Sequence, residues 1–280
     1  MKTKTLLSMG AALAVVACQQ PRQQEVTEKE VLDIPVCEVT TPPDSLELDS
    51  FYKKYVDVNG IALISSWRVP DSAFVAAHRT LYAMTSMLPK NVLDSMVNRG
   101  TRVAIMGRYE GTTDIPEHHY LINDTALNWD LRARGLGGDL NLPLTSCAEE
   151  NVLAYQIDKY HAEDILIHEF AHSIHLIGLM VAVPDFDDRL KQCYENAKAS
   201  GILDGTYRIT DKEEYFAEAV QDWFNVNAEM DHLDGKHNWC NTREELQEYD
   251  PDLYSLLEEF FPKTSLQISK HKKVNEISKY

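Results

Sequence analysis

Apolar positions along the chain fall into two regimes. Between Tyr55 and Trp67 they alternate or cluster around Asn59-Gly60, a pair that suits the tight turn of a β-hairpin. Phe74, Ala77, Leu81, Met84 and Leu88 recur at helical spacing after an Asp71-Ser72 start, which predicts a helix over 71–88. Thr101 to Gly107 (TRVAIMG) reads as a buried strand. From Thr112 to Leu144 the pattern is irregular. Segments 112–119 and 134–138 mix polar groups with proline or glycine and read as loops, the kind of segment that carries binding groups on a rigid body. Beyond them helical periodicity takes over, predicting helices over 149–160, 162–179, 185–199, 211–225 and 251–261, the third stopped by Gly201. Strand signals in the first half and helices in the second define an α+β chain, with a small N-terminal sheet.

The two ends differ from this body. Lys2 and Lys4 precede a mostly apolar run, Leu6 to Ala17, too short to span a bilayer comfortably, and residues 1–17 read as an export signal. Its close, Val15-Val16-Ala17-Cys18, resembles the bacterial lipobox, which implies cleavage before Cys18 and lipid attachment there. The expected location is therefore the bacterial cell envelope, anchored to a membrane by lipid. Residues 18–45 read as a polar tether, 46–262 as one folded domain, and 263–280, with five lysines, as a basic tail. No later segment approaches eighteen consecutive apolar residues, so no further membrane span is expected.

Composition narrows the partners. With 44% hydrophobic residues the chain has material for a core, and its 44 acidic against 27 basic residues give a net charge of −17. That balance argues against nucleic acid as the main partner and fits basic or neutral ligands; the chain is expected to act as a monomer. Besides Cys18 there are Cys37, Cys147, Cys193 and Cys240, which allow three complete pairings in an oxidising compartment, and no CxxC that would suggest a thiolate metal site.

The chemistry lies in Ile165 to Ile174, which contains His168-Glu169-Phe170-Ala171-His172. Four residues of helix turn through about 400°, so both imidazoles project from one face and can reach one Zn²⁺, with Glu169 beside them to take a proton from water. Two histidines do not complete a catalytic site, which needs three protein ligands and a water. His175 recedes by a turn and reads as packing or as a residue behind the ligands; a metzincin would need histidine at position 178, which is Gly178. Glu214 and Glu218 share one face of a helix whose inner side is apolar through Phe216, Ala217 and Val220. Inward carboxylates are costly without a partner. Glu214 is the candidate third ligand, and Glu218 the candidate hydrogen-bond partner of a ligand histidine.

HEFAH, then a tyrosine seven residues before the first glutamate of E-Y-F-A-E, resembles the catalytic domain of anthrax lethal factor and of the clostridial Pro-Pro endopeptidases, both gluzincin zinc proteases. The resemblance covers Glu150 to about Asn225. It implies a zincin-like domain with the active-site helix between sheet and helices, His168, His172 and Glu214 as zinc ligands, Glu169 as general base, Glu218 behind them, and Tyr207 as the phenol that stabilises an oxyanion. By analogy the substrate, a protein or peptide, lies extended against an edge strand, and 129–140 is the candidate wall. Two other readings keep the same residues: a zinc amidase on a non-protein amide such as peptidoglycan, and a surface binding lipoprotein with a structural zinc.

Overall fold

The computed structural model describes residues 32–266; the export segment, Cys18 and the tail beyond 266 lie outside the described residues. Thr40 exchanges both backbone hydrogen bonds with Tyr55, at 2.9 and 2.8 Å, so the chain runs beside the sheet within the stretch read as a tether. The expected hairpin follows, β1 (Lys54–Val58) and β2 (Ile61–Ser65), joined by Asn59 and Gly60 at φ 52° and 86°. Both values are left-handed, which the turn demands and which asparagine and glycine tolerate.

Helix α1 (Asp71–Thr85) buries Phe74, Ala77, Leu81 and Met84, as its spacing predicts. Helix α2 (Lys90–Asn98) buries only Val92 and Met96, too sparse a pattern to read from the sequence. Strand β3 (Arg102–Met106) is the predicted buried strand. Through the irregular region the chain makes 3-10 turns at Thr112–Asp114 and Pro116–Asn123, a one-turn helix α3 (Trp129–Arg132), the two-residue strand β4 (Gly135–Leu136) and β5 (Leu144–Ala148). The sheet order is β1-β2-β3-β5-β4, with β2, β3 and β5 parallel and the outer strands antiparallel to their neighbours. Both faces are covered. Leu63, Val103, Ile105 and Cys147 face the main core, and Ile64, Ala104, Met106 and Leu144 a smaller one.

The helix expected over 149–160 shrinks to one turn, α4 (Glu149–Val152), and the chain leaves it through Ala154 at φ 53°. Tertiary bonds override the local pattern there. Asn151 donates to Asp158 Oδ2 and to the Glu163 carbonyl, both at 2.9 Å, and accepts from Ile165 N–H at 2.9 Å, folding the turn against the next helix. That helix, α5 (Ile165–Ser173), is capped by Asp164, passes through a π-helical stretch (Ile174–Leu179) and ends as α6 (Met180–Ala182). Its 18 residues are long and apolar enough to cross a membrane by length and composition, but 67% of them is buried inside the fold. Helix α7 (Phe186–Ser200) stops at Gly201, φ 80°; α8 (Lys212–Trp223), α9 (Arg243–Tyr249) and α10 (Pro251–Glu258) complete the order. The fold is α+β, and α5 packs between β5 and α8, as expected. Cys37, Cys193 and Cys240 carry free thiols.

Candidate metal centre

Two N-caps set the register of the site. Asp164 accepts from Ile167 N–H and starts α5 four residues before His168; Asp211 accepts from Glu214 N–H at 2.8 Å and starts α8 three residues before Glu214. With α5 and α8 packed together, His168, His172 and Glu214 converge, each offering one ligand atom, all within 4.8 Å of one another. His168 Nε2 lies 3.0 Å and His172 Nε2 3.7 Å from Glu214 Oε2. Ligands held tetrahedrally about 2.0–2.1 Å from a zinc ion sit about 3.3 Å apart, so this spacing suits one ion.

The hydrogen bonds behind the group test that fit. Gln221, fully buried on α8, donates its Nε2 to the Asp164 carbonyl at 3.2 Å, which turns its Oε1 toward His168 Nδ1 at 2.9 Å. An amide oxygen only accepts, so Nδ1 carries the proton and Nε2 aims a lone pair at the Glu214 carboxylate. Two acceptors at 3.0 Å require a cation between them, a proton or a metal. With a proton there, burial opposes the charge on His168, but the bond to Glu214 and the nearby Glu169 and Glu218 carboxylates raise its pKa to about 10. The same histidines hold Glu214 far below the carboxylate range, against burial. Residues that bind a proton this firmly through a lone pair and a carboxylate are the ones that fit a divalent metal.

The role foreseen for Glu218 falls to Gln221. Glu218 Oε1 is 3.7 Å from His168 Nδ1, beyond hydrogen-bond reach, and its Oε2 accepts from Asn227 Nδ2 at 3.0 Å. Asn227 also donates to Asp222, which pairs with Arg208 at 2.5 Å, both side chains buried. Arg208 follows Tyr207 in the 3-10 turn Tyr207–Ile209, so this buried pair clamps the tyrosine's turn onto α8. Tyr207 donates its hydroxyl to Glu214 Oε1 at 3.3 Å, and burial followed by the Glu214 charge pushes its pKa up to about 12. His175 is fully buried between Phe186 and Phe216 and bonded to Asp187 at 3.1 Å, a packing residue as expected.

These groups open on one cleft of about 380 Å³. Segment 129–139 forms a wall of it, and β4, the sheet's outer strand, passes so close to α5 that side chains cannot fit between. A Cβ on Gly137 would stand 2.8 Å from His172 Cβ, and one on Gly135 2.6 Å from Ile165 Cγ2. The Gly137 backbone N–H donates to the Glu169 carboxylate, which burial raises above its ordinary pKa against the pull of both histidines. Arg134, expected only as part of a loop, anchors the approach to β4 by a bidentate pair with Glu150 at 2.6 and 3.0 Å.

No protein-family model and no curated protein matches the chain. Among solved structures, a Pro-Pro endopeptidase from Paenibacillus alvei is similar over 72% of this chain and 97% of its own, at 18% identity and a TM-score of 0.43.

Proposed function

We propose that the chain is a zinc-dependent metalloendopeptidase acting on protein or peptide. The reading is carried by one observation: His168, His172 and Glu214 converge beside Glu169 and Tyr207 on a single cleft. A structural metal site needs neither a spare carboxylate nor a phenol. His168 Nε2, His172 Nε2 and the Glu214 carboxylate would hold the ion. Zinc supplies a Lewis acid for the scissile carbonyl and a water acidified to a pKa of about 7. Glu169, whose carboxylate is buried and steered by the Gly137 N–H, takes a proton from water and delivers it to the leaving amine. Tyr207, protonated throughout the neutral range, donates to the carbonyl oxygen as its negative charge develops. The free edge of β4 offers backbone groups to an extended peptide.

Metal content and hydrolysis test this together. Wild type should bind one zinc per chain; Glu169→Gln should keep it and lose hydrolysis, and Glu214→Ala should lose it. A fully active Glu169→Gln protein, or zinc binding indifferent to Glu214, overturns the reading. We also propose that Cys18 bears a lipid anchoring a monomeric enzyme to the bacterial envelope. Labelling with radioactive palmitate that persists in Cys18→Ala would overturn that anchor.

A further inference from the structure

The charge of the whole chain is a poor guide to the charge of its cleft. Arg132 and Lys236 line the cavity that holds the metal ligands, and with Lys159 they line a second cavity of about 460 Å³ that adjoins it. The three come from separate segments and are fixed by backbone contacts. Lys236 accepts from Tyr207 N–H through its carbonyl at 2.9 Å, and Lys159 Nζ donates to the carbonyls of Leu131 and Arg132 at 3.0 and 3.2 Å. All three are exposed, and among the described residues none forms an ion pair with a carboxylate. Burial and then the cations Arg134, Arg132 and Lys236 depress the Lys159 ammonium.

The acids nearest this rim are already engaged. Glu163 and Asp234, which line the second cavity, bond the two ring nitrogens of His237 at 3.1 and 3.3 Å. Glu150 is taken by Arg134. Asp139, in the 129–139 wall, accepts from the Asn141 and Leu142 N–H groups at 2.7 and 2.9 Å, and Glu169, Glu214 and Glu218 line the cleft at its metal-ligand end. Screening confines a charge's reach to about 8 Å at physiological salt, so the −17 of the whole chain does not cancel cations at this distance from its other faces.

We propose that Arg132 and Lys236, backed by Lys159, form a carboxylate-binding subsite at one end of the cleft, so that the preferred substrate is an acidic peptide. The subsite rests on the peptidase reading for its purpose, and it reverses the expectation of basic or neutral substrates drawn from net charge. Exposed pairs of this kind discriminate modestly, about three- to tenfold for two cations acting together.

Randomised octapeptides, acetylated and amidated at their ends, are digested with the zinc-loaded full chain and the cleaved bonds read by mass spectrometry. In parallel the same pool is passed over immobilised Glu169→Gln protein and the retained peptides are identified. Asp and Glu should be enriched about three- to tenfold at one position near the cleaved bond and among retained peptides. Both enrichments should vanish in the double variant Arg132→Gln, Lys236→Gln and return in Arg132→Lys, Lys236→Arg. Cleavage without acidic enrichment, or enrichment that survives the double variant, overturns the subsite and leaves the peptidase standing. If wild type cleaves nothing the peptidase reading falls, and retention alone decides: acidic peptides held through Arg132 and Lys236 support the subsite, while retention blind to acidity overturns it. A pool with free C-termini separates the two sources of a carboxylate, since enrichment by a free end and not by Asp or Glu assigns the group to the chain terminus.

Discussion

Gln221 Oε1 accepts from His168 Nδ1 at 2.9 Å while Gln221 Nε2 is held by the carbonyl of Asp164, the residue that caps the helix carrying His168. One amide thus ties the third helical turn of α8 to the first turn of α5 and fixes which histidine nitrogen faces the metal position. Its removal should matter more to metal affinity than to folding. Gln221→Leu is expected to weaken zinc binding about ten- to a hundredfold, whereas Gln221→Glu keeps an acceptor and stays nearer wild type. Competition with a chromophoric chelator measures this, and a Leu variant within twofold of wild type would remove Gln221 from the site.

Tyr207 reaches Glu214 through its hydroxyl, which among the described residues donates to that carboxylate and to no other group. Tyr207→Phe should therefore retain zinc and thermal stability while kcat falls about a hundred- to a thousandfold, the loss that accompanies one missing donor to an oxyanion. KM should change little, because the donation strengthens only as charge develops. A variant with wild-type kcat would show that the phenol points at Glu214 without acting on substrate.

What the sequence reveals of this site follows from the range of the forces involved. His168, Glu169 and His172 are legible because four residues of helix bring two rings to one face, whatever surrounds them. Glu214 and Glu218 are legible for the same reason. The spacing that joins these two extends to Gln221, at i, i+4 and i+7, a signal that could have found the histidine's true partner. By contrast β5 carries Thr145, Ser146 and Cys147 with no polar–apolar alternation, because both its faces are buried in the sheet's interior. The helix predicted over 149–160 fails because Asn151 bonds residues up to fourteen positions away, which local propensity cannot anticipate. The cationic rim assembles from positions 132, 159 and 236, and only the fold makes them neighbours.

The close passage of β4 over α5 makes a second kind of demand. Gly137 lies where an added methyl meets His172 Cβ and Cδ2 at 2.8 Å, contacts that ordinary side chains do not make. His172 cannot yield without moving a ligand atom. Gly137→Ala should cost about 1–3 kcal/mol of stability, as overpacking does, and should lower zinc affinity as well. Thermal unfolding and zinc titration on the same samples check both. Unchanged zinc binding would mean that β4, and not the histidine, gives way.

Stability should fall in mild acid for reasons lodged away from the cleft. His118 and His175 are both buried, 1% and 0% exposed, and burial pushes each down to a pKa of about 4, against a raising influence of Glu117 on the first and of the Asp187 bond on the second. Each ring is therefore neutral in the folded chain well below the pKa of about 6.5 that it has when unfolded. Between those values the unfolded chain binds more protons, so unfolding becomes easier as pH drops through the window from about 6.5 to 4, and the full stability is present above it. At pH 5 the linkage amounts to about 2 kcal/mol for each histidine. Carboxylates elsewhere titrate over part of the same range, so the comparison is between variants and not absolute. Urea unfolding at pH 7.5 and pH 5.0, with chelator present to keep metal out of the linkage, should show wild type losing about 2 kcal/mol more than either His118→Gln or His175→Gln. Equal losses in all three would mean that these rings gain protons without unfolding, through a local opening that the packing of Phe186 and Phe216 around His175 argues against.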